Sequence, residues 1–102
     1  MKALAALDPE FEHRVRLAIA VLLMRHDEIS FAAFKQQLQL TDGNLGAQLR
    51  RLEEAGYLAL RRDFVERKPV TWYRMTAAGR AALERHLGAL QSMIAAAGSA
   101  AT

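Results

Sequence analysis

The sequence contains no cysteine. That excludes a disulfide scaffold, a thiolate metal site and a cysteine nucleophile, and it fits a reducing, cytoplasmic compartment. Long hydrophobic runs are missing too. The longest, Leu17 to Met24, has eight residues, against roughly 20 for a membrane-spanning helix. Lys2 and a few apolar residues open the chain, but Asp8, Glu10 and Glu12 follow at once, which is not the pattern of a secretory signal. No internal repeat is visible. No Ser/His/Asp set or phosphate-cradling glycine loop stands out. Asp27-Glu28 and Glu53-Glu54 are chain neighbours, and neighbours on a helix or strand do not converge on one substrate. The expectation is a chain with no enzymatic activity, no cofactor and no metal. His13, His26 and His86 are scattered, so a metal role would need two of them to meet across a dimer interface.

What is present fits one small globular domain. The chain has 102 residues, 52% hydrophobic and 25% charged, with no room for a separate sensor domain. A domain of this size buries a modest share of its surface, so a dimer interface would help it. Its net charge of +3 is unevenly placed. Residues 1–40 carry five basic and five acidic side chains, and residues 81–102 carry one of each. Residues 41–80 carry eight basic against five acidic, so the whole excess lies there. A local basic surface is the electrostatic footprint for a polyanion, although a solvated surface of uneven charge reads the same way.

The spacing predicts a first helix from Asp8 to about Arg25. Asp8 caps it, Pro9 suits its first position, and Phe11, Val15, Ala18 and Leu22 recur along one face. Leu4 and Leu7 extend that spacing backwards. Ser30 reads as the N-cap of a short helix over Phe31 to Leu38, with Ile29 and Phe34 as a hydrophobic staple. Thr41 reads as the N-cap of a third helix to Ala55, stopped by Gly56. The period then changes. Tyr57 to Phe64 and Val70 to Met75 read as two strands, with Val65-Glu66-Arg67-Lys68-Pro69 as the loop between them. Thr76 caps a long last helix whose Leu83, Leu87, Leu90 and Ile94 form an apolar stripe. The domain is expected over residues 1–94, with 95–102 as a fraying tail.

This order gives a mainly α fold with a small antiparallel β-hairpin: a helix-turn-helix followed by a wing, with long terminal helices. On a wheel of the third helix, Leu45, Leu49 and Leu52 point inward. Asn44, Ala47, Arg50 and Arg51 point outward, with Gln48 on the flank. An amide and a guanidinium on an exposed face are the groups that read adenine and guanine edges in a major groove. Asp42 and Glu54 oppose phosphates, and the same face is also compatible with an ordinary amphipathic surface helix. Gly46 inside the helix costs on the order of 1 kcal/mol relative to Ala; close approach to the preceding helix or to DNA would explain it. Arg61, Arg62, Arg67 and Lys68 line the hairpin. They suit phosphates or a minor groove, and they equally suit protection of a strand edge.

Leu40-Thr41-Asp42-Gly43-Asn44-Leu45, Leu49, and Leu52-Glu53-Glu54-Ala55-Gly56-Tyr57-Leu58 resemble the recognition region of small winged-helix regulators. So does Lys68-Pro69-Val70-Thr71 followed by Tyr73-Arg74-Met75-Thr76-Ala77-Ala78-Gly79-Arg80. Together these stretches are similar to the short winged-helix DNA-binding proteins related to the MarR and ArsR groups, over about Leu7 to Leu90. The resemblance implies a homodimer built from the terminal helices, with the third helix in the major groove and the wing beside it. It carries DNA contact to Asn44, Gln48 and Arg51, and wing contact to Arg67 and Lys68. Gly46 and Gln48 depart from the Ser or His often found near those positions.

The expected function is transcriptional regulation by a dimer on an inverted-repeat operator in double-stranded DNA. The expected dimer residues are Leu4, Leu7, Phe11, Leu83, Leu87, Leu90 and Ile94. A small-molecule effector, if one acts, would enter at that interface. The alternative is a protein-interaction module on the same fold. A protein binder should show apolar anchors on the outer face of the third helix.

Overall fold

The computed structural model describes residues 1–99. In chain order it has α1 (Lys2–Ala6), a 3-10 turn (Pro9–Phe11), α2 (Arg14–Arg25), β1 (Ile29–Ser30), α3 (Phe31–Leu38), α4 (Asp42–Glu54), β2 (Leu58–Val65), β3 (Lys68–Met75) and α5 (Ala77–Ser99). α5 runs past Ile94 as unbroken helix to Ser99. Of the tail expected to fray, residues 100–102 lie outside the described residues.

Three sequence expectations are corrected. The first helix does not run continuously from Asp8. Asp8 caps only the 3-10 turn, its Oδ1 accepting from the Glu10 N–H at 2.9 Å. His13 is extended and starts α2 by accepting the Val15 N–H on its Nδ1 at 3.2 Å. The break turns Phe11 into the core, and α1 becomes a separate short helix. Second, the sheet has three strands in the order β1-β3-β2. β1 pairs Ile29 with Tyr73 and Ser30 with Trp72; two residues are too few to show an alternating period. Third, the hairpin loop is shorter than the five residues expected. Val65 pairs with Lys68, leaving only Glu66 and Arg67 in the turn.

The caps hold as read. The Ser30 Oγ accepts from the Ala33 N–H, and the Thr41 Oγ1 accepts from the Asn44 N–H, each at 3.1 Å. Gly56, at φ 81°, ends α4: its N–H donates to the Glu53 carbonyl and the Tyr57 N–H to that of Leu52. That reversal aims Leu58 into the core. One cluster holds Phe11, Val15, Ile19, Leu23, Phe34, Leu45, Leu49, Leu52, Leu58, Tyr73 and Leu83. α4 is thus fixed by three buried leucines, and its opposite face is left to solvent.

Two glycines define contrasting environments. A Cβ on Gly79 would collide with the Tyr57 carbonyl, where α5 crosses the start of the hairpin, whereas a Cβ on Gly46 would meet nothing within 4 Å. Close approach to the preceding helix is therefore not why Gly46 is there. Gly79→Ala should destabilise the fold by about 1–3 kcal/mol through overpacking. Gly46→Ala should stabilise it by roughly 1 kcal/mol through helix propensity. Urea unfolding of both variants checks the opposite signs.

Candidate nucleic-acid interface

The outer face of α4 divides into a centre and two edges. Gly43, Ala47 and Glu54 are exposed along the centre. Asn44, Gln48 and Arg51 line the edge towards α2, and Gly46, Arg50 and Glu53 the edge towards the wing. On the wing side, Gly46, Arg50 and Glu53 share a cleft with Leu60, Arg62 and Tyr73. Asp42, a charge adverse to phosphates, is paired with Lys35 at 2.8 Å.

The α2 side is occupied by a network that the sequence reading missed. The Glu10 carboxylate accepts two hydrogen bonds from Arg51, from Nε at 3.1 Å and Nη2 at 3.2 Å. Arg16 Nε donates to the Glu10 carbonyl at 2.7 Å, and its Nη1 donates to the Gln48 Oε1 at 2.8 Å. Arg16 also lies 3.8 Å from the Glu10 carboxylate. Gln48 is thus held from α2 and Arg51 from the 3-10 turn, whereas Asn44 and Arg50 stand exposed. Glu10 and Arg16 carry no sequence signal for this role, because their partners lie 41 and 32 residues away.

The wing cations also divide. Arg61 is spent at the wing's base: it forks onto Glu28 at 2.7 and 3.1 Å, bonds Asp63 at 3.1 Å, and sits 5.5 Å over the Trp72 ring. Its two carboxylates keep its guanidinium protonated beyond the ordinary range. Among the described residues, Arg62, Arg67 and Lys68 make no ion pair. Arg62 turns into the cleft with Arg50. Arg67 and Lys68 lie exposed at the tip. The turn holds Glu66 at φ 51° and Arg67 at φ 66°, a left-handed conformation that costs non-glycine residues of order 1–3 kcal/mol each. Just before it, Phe64 is 71% exposed.

The terminal helices correct part of the expected dimer set. Phe11 and Leu83 belong to the protomer's own core and offer no surface to a partner. Leu7, Leu87 and Leu90 are half-buried; Leu4 is 65% and Ile94 72% exposed. α1 lies along α5, and the groove between them is lined by Lys2, Ala3, Ala6, Arg85, Gly88 and Ser92 among others. α5 extends away from the core and helps stretch the molecule to 61 × 26 × 21 Å. At its inner end, His86 is buried with its Nδ1 accepting the Asp8 N–H at 2.9 Å. Nδ1 is therefore unprotonated and the ring proton sits on Nε2. Phe11 stacks on Tyr57 with centroids 5.4 Å apart, and the Tyr57 hydroxyl donates to the Asp8 carboxylate. Among the described residues no helix is long and apolar enough to cross a membrane.

A helix-turn-helix with the second helix presented outward and a hairpin beside it defines the winged-helix class of DNA-binding domain. The chain belongs to that family: the model for the winged helix DNA-binding domain matches residues 15–94. A protein of Methanocaldococcus jannaschii is 32% identical over 77 residues, covering 76% of this chain and 84% of that one. A transcriptional regulator homologue from Pyrococcus horikoshii has the same fold at a TM-score of 0.86 and 28% identity, covering 94% of this chain and 97% of its own. Apo MarR of E. coli superposes at 0.64 with 18% identity, over 83% of this chain and 65% of that one. The chain is MarR-like in fold and belongs to the winged helix DNA-binding domain family.

The Tyr57 phenol has a measurable consequence. The Asp8 carboxylate it bonds, followed by burial, pushes its pKa from 10.0 up to about 12. A folded pKa raised above the unfolded one adds stability that is fully present below pH 10 and is lost as pH climbs from 10 to 12. Tyr57→Phe should be less stable than wild type at pH 8, and the gap should close across that window. Urea midpoints of the two proteins at pH 8, 10 and 11.5 check this.

Proposed function

We propose that the chain is a transcriptional regulator that binds double-stranded DNA sequence-specifically as a dimer in the cytoplasm, with no catalytic activity. α4 enters the major groove, and the wing lies on the backbone or in the adjacent minor groove. The observation that carries this reading is the placement of the unpaired cations. Arg50 faces out from α4, Arg62 shares its cleft, and Arg67 and Lys68 stand at the wing tip, while the outer face of α4 has no large apolar anchor. Other cations, such as Arg74 and Arg85, also make no ion pair among the described residues, but these four cluster beside the outer face of α4 and along the wing, where a run of guanidinium and ammonium groups suits a backbone of phosphates. Asn44, Gln48 and Arg51 supply base contacts, each good one worth about 1–3 kcal/mol of discrimination.

The dimer forms through α1 and α5. Leu4 and Ile94 supply exposed apolar surface, with Leu7, Leu87 and Leu90 at its edge. Two-fold symmetry would place two copies of α4 in grooves roughly 34–36 Å apart, or a multiple of that, on an inverted repeat. An effector, if one acts, enters the groove between α1 and α5 and alters that spacing. Ile94→Glu should shift the protein towards monomer and lower its affinity for the inverted repeat. Light scattering at micromolar concentration checks the mass, and a monomeric wild type would contradict the dimer.

One observation favours a second reading, a protein-interaction module. Phe64 and the neighbouring Val65 are exposed apolar side chains at the wing tip. DNA binding against salt separates the two. Arg67→Ala with Lys68→Ala should weaken operator and scrambled duplexes alike, and should make the salt dependence shallower by about one unit of slope per lost phosphate contact. Arg51→Ala should instead flatten the preference for operator. If the wild type binds no duplex at low salt, the interaction module replaces the regulator.

A further inference from the structure

The polar edge of α4 facing α2 is not a row of free side chains. Its two longest members, Gln48 and Arg51, are each held by a fixed partner, and the way each is held limits what it can offer a base.

A guanidinium carries only donors. Arg16 donates to Gln48, so the Gln48 amide must turn its oxygen towards Arg16 and its NH2 away. Arg16 is in no position to give way easily. Its side chain is only 12% exposed and is fixed by the Glu10 carbonyl at 2.7 Å. Reading adenine with an amide needs both ends, the NH2 on N7 and the oxygen under the N6 amino group. With its oxygen drawn to Arg16, Gln48 offers the groove a donor. The partners of a donor are guanine N7 and O6, thymine O4 and adenine N7. Guanine alone offers two acceptors side by side, whereas adenine N7 sits beside the N6 donor, which needs the oxygen that Arg16 holds.

Arg51 is limited in a complementary way. Its Nε and Nη2 are bound to Glu10, whose side chain is mostly buried at 19% exposure. The Nη1 end and the second Nη2 hydrogen remain, on a side chain that is 58% exposed. Those two donors form the fork that fits guanine O6 and N7. Glu10 also immobilises a long side chain before DNA arrives, which removes part of the ordering cost of binding.

Resting on the DNA-binding reading above, we propose that Glu10 and Arg16 are positioning residues that set base choice. They present Arg51 and Gln48, one helical turn apart, as two donor-only heads. The pair selects acceptor-rich major-groove edges: guanine at the Arg51 step, and guanine ahead of adenine at the Gln48 step, where adenine offers one acceptor beside an unmatched donor. Glu10 also places a carboxylate near the phosphates, so it opposes binding to DNA in general while sharpening choice.

The test uses the full chain. Bound sequences are selected from random duplexes, and affinities are then measured on the selected site, on its single-base variants and on scrambled DNA. Gln48→Ala identifies the Gln48 step as the position whose preference disappears while the Arg51 step is kept. The wild type should disfavour adenine there by about tenfold. Arg16→Met frees the amide oxygen and should bring adenine within about twofold of the best base, whereas Arg16→Lys keeps a donor and should restore the preference. Glu10→Gln should bind scrambled DNA several-fold more tightly and lose preference at the guanine step. A merely structural loss would weaken all duplexes together. Melting temperatures accompany each variant, and Glu10→Gln, which leaves Arg16 in place, carries the test of the positioning role if Arg16→Met fails to fold. Wild-type selection of adenine at the Gln48 step overturns the proposal, as does an Arg16→Met profile identical to wild type. Failure of the wild type to bind any duplex overturns the DNA-binding reading itself, a result distinct from binding with a different base preference.

Discussion

Every polar group of Asp8 is committed, and the rest of the molecule is arranged around it. Its N–H donates to His86 on α5, one carboxylate oxygen caps the 3-10 turn, and the other takes the Tyr57 hydroxyl at the corner after α4. One residue thereby ties the N-terminal segment to the helix that leaves the core and to the joint between α4 and the hairpin. The 3-10 turn that follows puts Phe11 against both Tyr57 and His86. The same turn places Glu10 beside Arg51. The orientation of two side chains on α4 is therefore a consequence of a bond made at Asp8. A partly buried hydrogen-bond network of this kind is costly to leave half-made, so it favours one arrangement of these elements over others.

The positive charge of the middle segment is sorted by pairing. Arg51 and Arg61 are bound to carboxylates from distant parts of the chain, and Lys35 neutralises Asp42 at the start of α4. Surface pairs of this type contribute little to stability, typically under about 1 kcal/mol. Their larger effect is on what remains. Arg74 and Arg80 make no ion pair among the described residues, and neither do Arg50, Arg62, Arg67 and Lys68, which lie along the wing side of α4 and out to the tip. The strained turn at Glu66 and Arg67 fits the same picture. A glycine there would remove the strain, but it would also remove the tip cation.

Local chemistry made most of the fold legible in the sequence. Ser30, Thr41 and Thr76 cap the helices they were read to cap, and Gly56 ends α4 in the left-handed conformation its position called for. Leu45, Leu49 and Leu52 are buried as the wheel placed them. What was not legible depends on distant partners. The break before Arg14 follows from His13 acting as a cap, against a helical period that continues through it. β1 is visible only through its pairing with β3. Phe11 and Leu83 looked like interface because they sit on apolar stripes, and a stripe does not say whether its own core covers it. At the interface, residue identities could be read, but the pairing of Gln48 with Arg16 and of Arg51 with Glu10 could not. Those contacts span more than thirty residues of chain.

We propose that one face, made of α4 and the wing, meets the duplex, while α1 and α5 meet a second copy. An NMR titration of the isotopically labelled chain with a selected duplex tests that division directly. The largest amide shifts should fall within residues 43–51 and 62–68, with the outer half of α5 little changed. Shifts concentrated on α1 and α5, with α4 and the wing tip unmoved, would contradict it.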